Sequence, residues 1–337
     1  MKRRTFLLAA GAAACRRTKP RLNIYNWSDY VAPDTIANFE HEFGVEVRYG
    51  TYEGNQEMIA KVMGGNSGWD VVFPSADFIG PMRDMGLLAP LDHSKLKNLD
   101  SLEDAFRKPV WDREMQWSVP YMHGATGIVH QKSLAPKRWS DLWDAKLAGK
   151  ITMLDDPPEV LGSCLKKLGW SINSCDEAQL RAAQREAIAQ KKMLRAYLNA
   201  EVRDQMVAGD VAAAQAWAVT AGQAIAAAPE KLAFVLPEDG FARFADTVAI
   251  LRESTRTALA HQFIDYVLRP DVAAKIVTAT QTATANGRAK ALLAPSLRDN
   301  EVLYPSSEVL ARGEWFEALP SKIQKLRDRL WTEIKSA

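Results

Sequence analysis

The sequence predicts an α/β protein of two lobes linked by two crossing segments, and three observations carry that prediction. Short strand-like runs alternate with helical runs from Arg21 onward, the signature of βαβ units. Two extended stretches rich in small residues, 119–127 and 241–247, interrupt the alternation where a chain would pass between bodies. The 337 residues, 47% hydrophobic and 25% charged, suffice for two cores and argue against disorder.

Taken in order, 21–25 reads as a strand and 33–43 as the helix after it. A strand at 45–49 precedes a helix at 55–63, which Gly64-Gly65 stops, and 69–74 reads as the next strand. The first crossing leads into a strand at 127–130. Beyond it lie a strand at 151–154, helices at 159–168 and 177–194, and strands at 211–217 and 232–236. The second crossing leads into a strand at 247–251. Helices at 257–268 and 271–280 are divided by Pro270, which has no N–H to continue a helix. If the chain leaves lobe one near 123 and returns near 246, a cleft lies between two α/β lobes, and such hinged pairs close on ligands. The expected division is 1–19 as an export segment and tether, 20–123 plus 247–290 as lobe one, and 124–246 plus 291–337 as lobe two.

The N-terminus joins a basic Lys2-Arg3-Arg4 to a short apolar run and small residues before Cys15. That pattern reads as an export signal, too short for a bilayer-spanning helix. Ala12-Ala13-Ala14-Cys15 resembles a lipobox, with Cys15 as the acylated residue, and Arg3-Arg4 with Phe6-Leu7 resembles a twin-arginine signal. Losing Lys2, Arg3 and Arg4 takes the formal charge from +2 to −1, so no global basic field exists for nucleic acid. Cys164 and Cys175 could pair in an oxidising envelope, although two unpaired thiols are the favoured reading. No ligand-like spacing surrounds them, so neither a metal nor a cofactor is expected.

Enzyme signatures are missing: no Gly-x-Ser-x-Gly elbow, phosphate loop, dinucleotide fingerprint or His-Glu-x-x-His occurs. His41 and His261 fall on amphipathic helices and read as surface residues. His123 and His130 flank a crossing and read as structural.

The chemistry-bearing residues gather at strand ends. Trp27, Ser28, Asp29 and Tyr30 follow the first strand, at the edge where α/β sheets bind ligands. Two rings beside an acid can hold an organic ammonium by cation–π attraction and a charged hydrogen bond. The competing reading is an aromatic turn whose Asp caps the next helix. Asp155, Asp156 and Glu159 follow the strand at 151–154, where they could equally serve a helix N-terminus. Trp217 ends another strand and is by default a core residue. Phe244 and Asp246 precede the strand at 247–251, where Asp246 could be a turn residue. Each bland reading stands singly, but four together are harder to accept.

Several segments carry a family resemblance over 22–335: Tyr25-Asn26-Trp27-Ser28-Asp29-Tyr30-Val31, Tyr49-Gly50-Thr51-Tyr52-Glu53-Gly54-Asn55 and Trp69-Asp70-Val71-Val72-Phe73-Pro74-Ser75. Leu268-Arg269-Pro270-Asp271-Val272-Ala273, Leu303-Tyr304-Pro305 and Gly313-Glu314-Trp315 extend it. The chain resembles the polyamine (spermidine/putrescine) substrate-binding proteins of ABC transporters. The resemblance implies a two-lobed type II periplasmic-binding-protein fold with crossover hinge strands. It also implies a monomer outside the cytoplasm that delivers a polyamine to an inner-membrane permease and is not an enzyme. Position by position, it makes Trp27, Tyr30, Trp217 and Phe244 walls, and Ser28, Asp29 and Ser75 polar contacts. Asp156 and Glu159 become the acids of lobe two and Asp246 the anchoring acid.

The chain departs from the family pattern at Thr220, where putrescine-type proteins have a second acid, and at Thr282 or Thr284, where a tyrosine is expected. Phe316 replaces a polar residue, and Asp77 stands where relatives carry Tyr or Ser, whereas Asp156 follows the spermidine type. Asp29, Asp77, Asp156, Glu159 and Asp246 together favour a ligand with more than one cationic group. The other readings are a different organic cation, an amino acid or an iron chelate in the same fold, a sensing subunit for a membrane signalling protein, and an envelope hydrolase.

Overall fold

A computed structural model describes residues 19–337; the expected export signal, with Cys15, lies outside the described residues. The first elements are β1 (Arg21–Trp27), α1 (Thr35–Phe43), β2 (Glu46–Tyr52), α2 (Asn55–Val62), β3 (Val71–Val72) and α3 (Ala76–Asp84). The chain then runs along β4 (Val119–Gln131), β5 (Ile151–Met153), α4 (Pro157–Lys167), α5 (Glu177–Lys191), β6 (Leu194–Tyr197) and α6 (Val202–Ala208). Next come β7 (Ala213–Trp217), α7 (Ala218–Ala227), β8 (Leu232–Val235), β9 (Phe241–Ile250), α8 (Thr257–Val267) and α9 (Pro270–Thr280). The last are β10 (Ala283–Thr284), α10 (Gly287–Lys290), α11 (Pro295–Arg298), α12 (Ser307–Leu310), β11 (Gly313–Trp315) and α13 (Ser321–Ser336).

The strands run β2-β1-β3-β9-β4-β7-β5-β6 across two halves that share β4 and β9. β1 pairs parallel with β2 and β3, and β9 closes that half antiparallel, with Ile250 beside Val71. β4 pairs with β9 through Val119–Ala125, then turns its other end, Thr126–His130, to β7. β5 lies parallel between β6 and β7. β4 and β9 are therefore the two crossing strands of a two-lobed α/β fold.

Two separate cores follow. One gathers Leu22, Ile24, Phe39, Val71 and Phe263, with a second layer of Tyr25, Tyr52 and Met58 beside it. The other gathers Ile128, Trp139, Ile151, Leu161, Leu180 and Leu330. Local chemistry sets the helix ends. Gly44, at φ +64°, closes α1 in the left-handed conformation that glycine adopts freely. Pro157-Pro158 opens α4 where no amide partner is needed, and Asp156 accepts from the Glu159 N–H at 3.1 Å.

Four readings from the sequence are corrected or refined here. Each crossing is continuous with the strand after it, because small residues at Gly124, Ala125 and Gly127 conceal the alternation of a single thirteen-residue β4. His261 is buried: Nε2 accepts from the Asp92 N–H at 2.9 Å and the Nδ1 side meets Thr257 O at 2.6 Å. Its helix, α8, presents that face to the 92–95 turn rather than to water. Asp29 caps no helix, since it precedes α1 by a loop and sits at φ +55°, exposed. Asp246 is no turn residue but lies within β9. Cys164 is buried, Cys175 is exposed, and both are free thiols.

Candidate functional site

Trp27 ends β1, and its indole Nε1 donates to Phe73 O at 2.7 Å, which pins the ring over the lobe-one sheet edge. Tyr52 packs against it at 4.8 Å and Tyr30 at 6.3 Å between ring centres. Tyr30 is buried and donates its phenol to Asp246 Oδ2 at 2.7 Å. Burial and the Asp246 charge hold the Tyr30 phenol well above its ordinary pKa, so it remains a donor. Ser28 bonds Glu53 through its hydroxyl, while Asp29 stands exposed at the rim.

Ser75, at the start of α3, supplies the second donor to Asp246, Oγ to Oδ1 at 2.7 Å. Asn55 fixes Ser75 from the start of α2, accepting from its N–H and donating to its hydroxyl, both at 3.0 Å. Asp246 thus uses one oxygen for each donor. Burial still pushes its carboxyl up to about 6, against the lowering effect of Ser75 and Tyr30.

Lobe two builds a matching acid. Glu159, in the first turn of α4, is 4% exposed. Its Oε1 accepts from Thr126 Oγ1 at 2.7 Å and from Trp217 Nε1 at 2.9 Å. Its Oε2 has no partner among the described residues. Burial raises the Glu159 carboxyl, and the nearby Asp156 charge raises it further; Asp156 is raised by burial in turn. Asp77, in the first turn of α3, is half-buried at the cavity wall, and its lost hydration pushes it up to about 7.

These side chains converge on one cavity of about 170 Å³ between the lobes. All eleven residues singled out in the sequence line it: Trp27, Ser28, Asp29, Tyr30, Ser75, Asp77, Asp156, Glu159, Trp217, Phe244 and Asp246. Sequence reasoning missed Glu53, Asn55, Phe78, Asn199 and Gln223, which also line it. Glu53 and Asn55 lay inside a segment already marked by resemblance. Asn199 and Gln223 come from a turn and a helix that carried no signal. Thr220 and Phe316 line the wall, whereas Thr282 and Thr284 are buried elsewhere.

Among the described residues, no lysine, arginine or histidine belongs to the lining. Among the described residues no group of His, Cys, Asp or Glu is arranged to hold a metal ion, and no helix is long and apolar enough to cross a membrane. The arrangement suits a cation with an apolar body: carboxylates from both lobes meet its charges and ring faces meet its carbons.

Phe244 owes its place to a neighbour without a side chain. A Cβ at Gly124 would lie 2.5 Å from Phe244 Cζ, so the ring lies directly across β4. Gly124→Ala is expected to drive the ring into the cavity. Overpacking of this kind costs about 1–3 kcal/mol, or about thirtyfold in affinity at the middle of that range. Calorimetry should find the loss reduced in Gly124→Ala/Phe244→Leu, where the shorter side chain gives room. Unchanged affinity in the single variant would mean that the wall yields without cost.

The model of the bacterial extracellular solute-binding protein family matches residues 34–301. The chain is 32% identical to the putrescine-binding periplasmic protein of Escherichia coli, covering 98% of this chain and 95% of that protein. It is 33% identical to the spermidine/putrescine-binding periplasmic protein of the same organism, covering 92% of each. The spermidine/putrescine ABC transporter substrate-binding protein of Streptococcus pneumoniae superposes with a TM-score of 0.82 at 29% identity, over 94% of this chain and 99% of that one. With two lobes, two shared strands and a cavity between them, this chain belongs to the bacterial extracellular solute-binding proteins.

Proposed function

We propose that this protein captures a polyamine of the spermidine/putrescine class in its interlobe cleft, outside the cytoplasm, and delivers it to an ABC permease. The observation that carries the reading is the cleft's charge: Asp77, Asp156, Glu159 and Asp246 face it, and no cationic side chain answers them. Organic ammonium groups would supply the missing charge, with Trp27, Tyr30, Trp217 and Phe244 along the methylenes. In this reading the protein is a non-enzymatic monomer anchored through lipid on Cys15. Its lobes divide as 20–123 with 247–290 and 124–246 with 291–337, so that β4 and β9 act as hinge strands. The names of the relatives and the lack of a nucleophile or metal constellation in the sequence support binding over catalysis.

Titration calorimetry tests the reading and its pH dependence together. A carboxyl raised by burial is protonated in the empty cleft at mildly acid pH, whereas an ammonium ligand requires the carboxylate. Binding therefore releases protons, and affinity rises with pH through the window from about 6 to about 7 set by Asp246 and Asp77. Spermidine or putrescine should bind at least about tenfold more weakly at pH 5.5 than at pH 8, because each proton that must leave costs about a factor of ten for every pH step of one below the carboxyl's pKa. At pH 6.5 the measured heat should change with the ionisation enthalpy of the buffer. Absence of binding by either amine at pH 8 would overturn the function, and a flat pH profile would overturn the charge account.

A further inference from the structure

Six acids line the cleft; Asp29 is exposed at its rim and Glu53 accepts from Ser28, and the four inner ones are served unequally. Asp246 receives Ser75 and Tyr30. Glu159 receives Thr126 and Trp217 on one oxygen, and Asp156 receives the Glu159 N–H. Among the described residues Asp77 has no side-chain donor, and the bond that favours its charge comes from its own backbone N–H. It lies two residues beyond Ser75 on the cavity wall, where the charges of Asp156 and Asp246 raise it and its own charge raises Glu159. Asp77 therefore shares one cavity with the anchoring acid on β9 and the acid pair of lobe two.

A first-turn acid usually serves the helix dipole, and an exposed one does so with its charge in water. Asp77 is instead half-buried against a cavity where Asp156 and Asp246 repel its charge. An acid kept in such a place needs an external cation to remain ionised. Glu159 supplies an independent sign that a ligand completes the site, since it is 4% exposed and its Oε2 is unpartnered among the described residues.

A diammonium chain brings two charges to the four inner carboxylates. It could satisfy Asp246 at one end and the Asp156–Glu159 pair at the other, leaving Asp77 beside its methylenes. A third ammonium within the chain would meet Asp77, and the one remaining acid could keep a proton shared within the Asp156–Glu159 pair.

We propose that this cleft selects a triammonium chain over a diammonium one, and that Asp77 makes the selection by holding the ligand's internal nitrogen. The inference rests on the polyamine reading above, and the test separates the two. Spermidine, putrescine and octane-1,8-diamine are titrated into the full chain and into Asp77→Asn and Asp77→Ser. The octane diamine spans the same number of backbone atoms as spermidine but has carbon at the internal position.

The unaltered protein should bind spermidine at least about tenfold more tightly than either diamine, about 1.4 kcal/mol. Both variants should lose most of that advantage, with spermidine weakened by at least about tenfold more than either diamine. The two substitutions differ in size and in helix-start preference, so a fold defect in one leaves the other to report. Equal weakening of all three amines, or a diamine preference in the unaltered protein, would overturn the selection while leaving polyamine capture standing. No binding of any of the three would overturn both.

Discussion

Asp246→Asn is expected to abolish tight binding of spermidine and putrescine, weakening both by about 2–5 kcal/mol, or about 30-fold to several thousand-fold. The size follows from the geometry. Each Asp246 oxygen already accepts from a hydroxyl, Ser75 on one side and Tyr30 on the other. An asparagine can keep one acceptor but must turn its NH₂ toward the other hydroxyl, so the variant loses both the charge and one prearranged donor. The control lies in stability. Because burial raises the folded-state carboxyl to about 6, its contribution to stability is lost as pH rises through that value, and the ionised form burdens the empty protein at pH 7.5. Asp246→Asn should therefore leave the ligand-free melting temperature unchanged or raised, while the ligand-induced rise disappears. An affinity for spermidine within threefold of the unaltered protein would remove Asp246 from the site.

Trp139→Ala should produce the largest loss of stability, about 3–5 kcal/mol, the usual cost of deleting a buried aromatic. Trp139 is 1% exposed in the lobe-two core, where it shares a cluster with Leu142, Leu161 and Phe241. Its indole Nε1 donates to Gly240 O at 2.8 Å, immediately before β9 begins. The truncation leaves both a cavity and an orphaned carbonyl. Trp139→Phe should retain most of the packing and lose about 1–2 kcal/mol, much of it from that hydrogen bond. Urea unfolding read by circular dichroism separates the two variants. A loss below about 1 kcal/mol in Trp139→Ala would mean that the core closes over the gap.

Most of the cleft was legible because its parts sit at strand ends with their chemistry exposed in the sequence. Trp27 to Tyr30, Asp156 with Glu159, and Phe244 with Asp246 each combine a ring or an acid with a nearby strand boundary. Asp77 entered only as a departure from the family pattern, since no helix was expected after the strand at 69–74 and a lone acid there carries no signal. Helix α13 went unread although Ile323, Leu326, Leu330 and Ile334 recur at helical spacing toward lobe two. Its charged outer face diluted that stripe. Helix α7 is almost entirely Ala and other small apolar residues, so it carries no periodic contrast, and Gln223 was lost with it. Helix α3 was hidden by Pro81, whose ring argues against a helix interior. His261 was misplaced because an amphipathic pattern does not reveal that a turn from another part of the chain lies over its polar side.

The division of hydrogen-bond donors between the lobes has a mechanical consequence. Ser75 and Tyr30 serve the acid on β9 from one side, while Thr126 and Trp217 serve Glu159 from the other. Each half holds its own negative charge with its own fittings, and the two halves meet across β4 and β9 with no built-in counter-charge in the lining. The empty cleft is therefore an electrostatic spring that pushes its own jaws apart. A cationic cargo discharges the spring by entering it, so a closed shape reports a loaded one. Acid discharges it as well, by protonating the jaws, and an acidified envelope would blur the difference between an empty carrier and a full one.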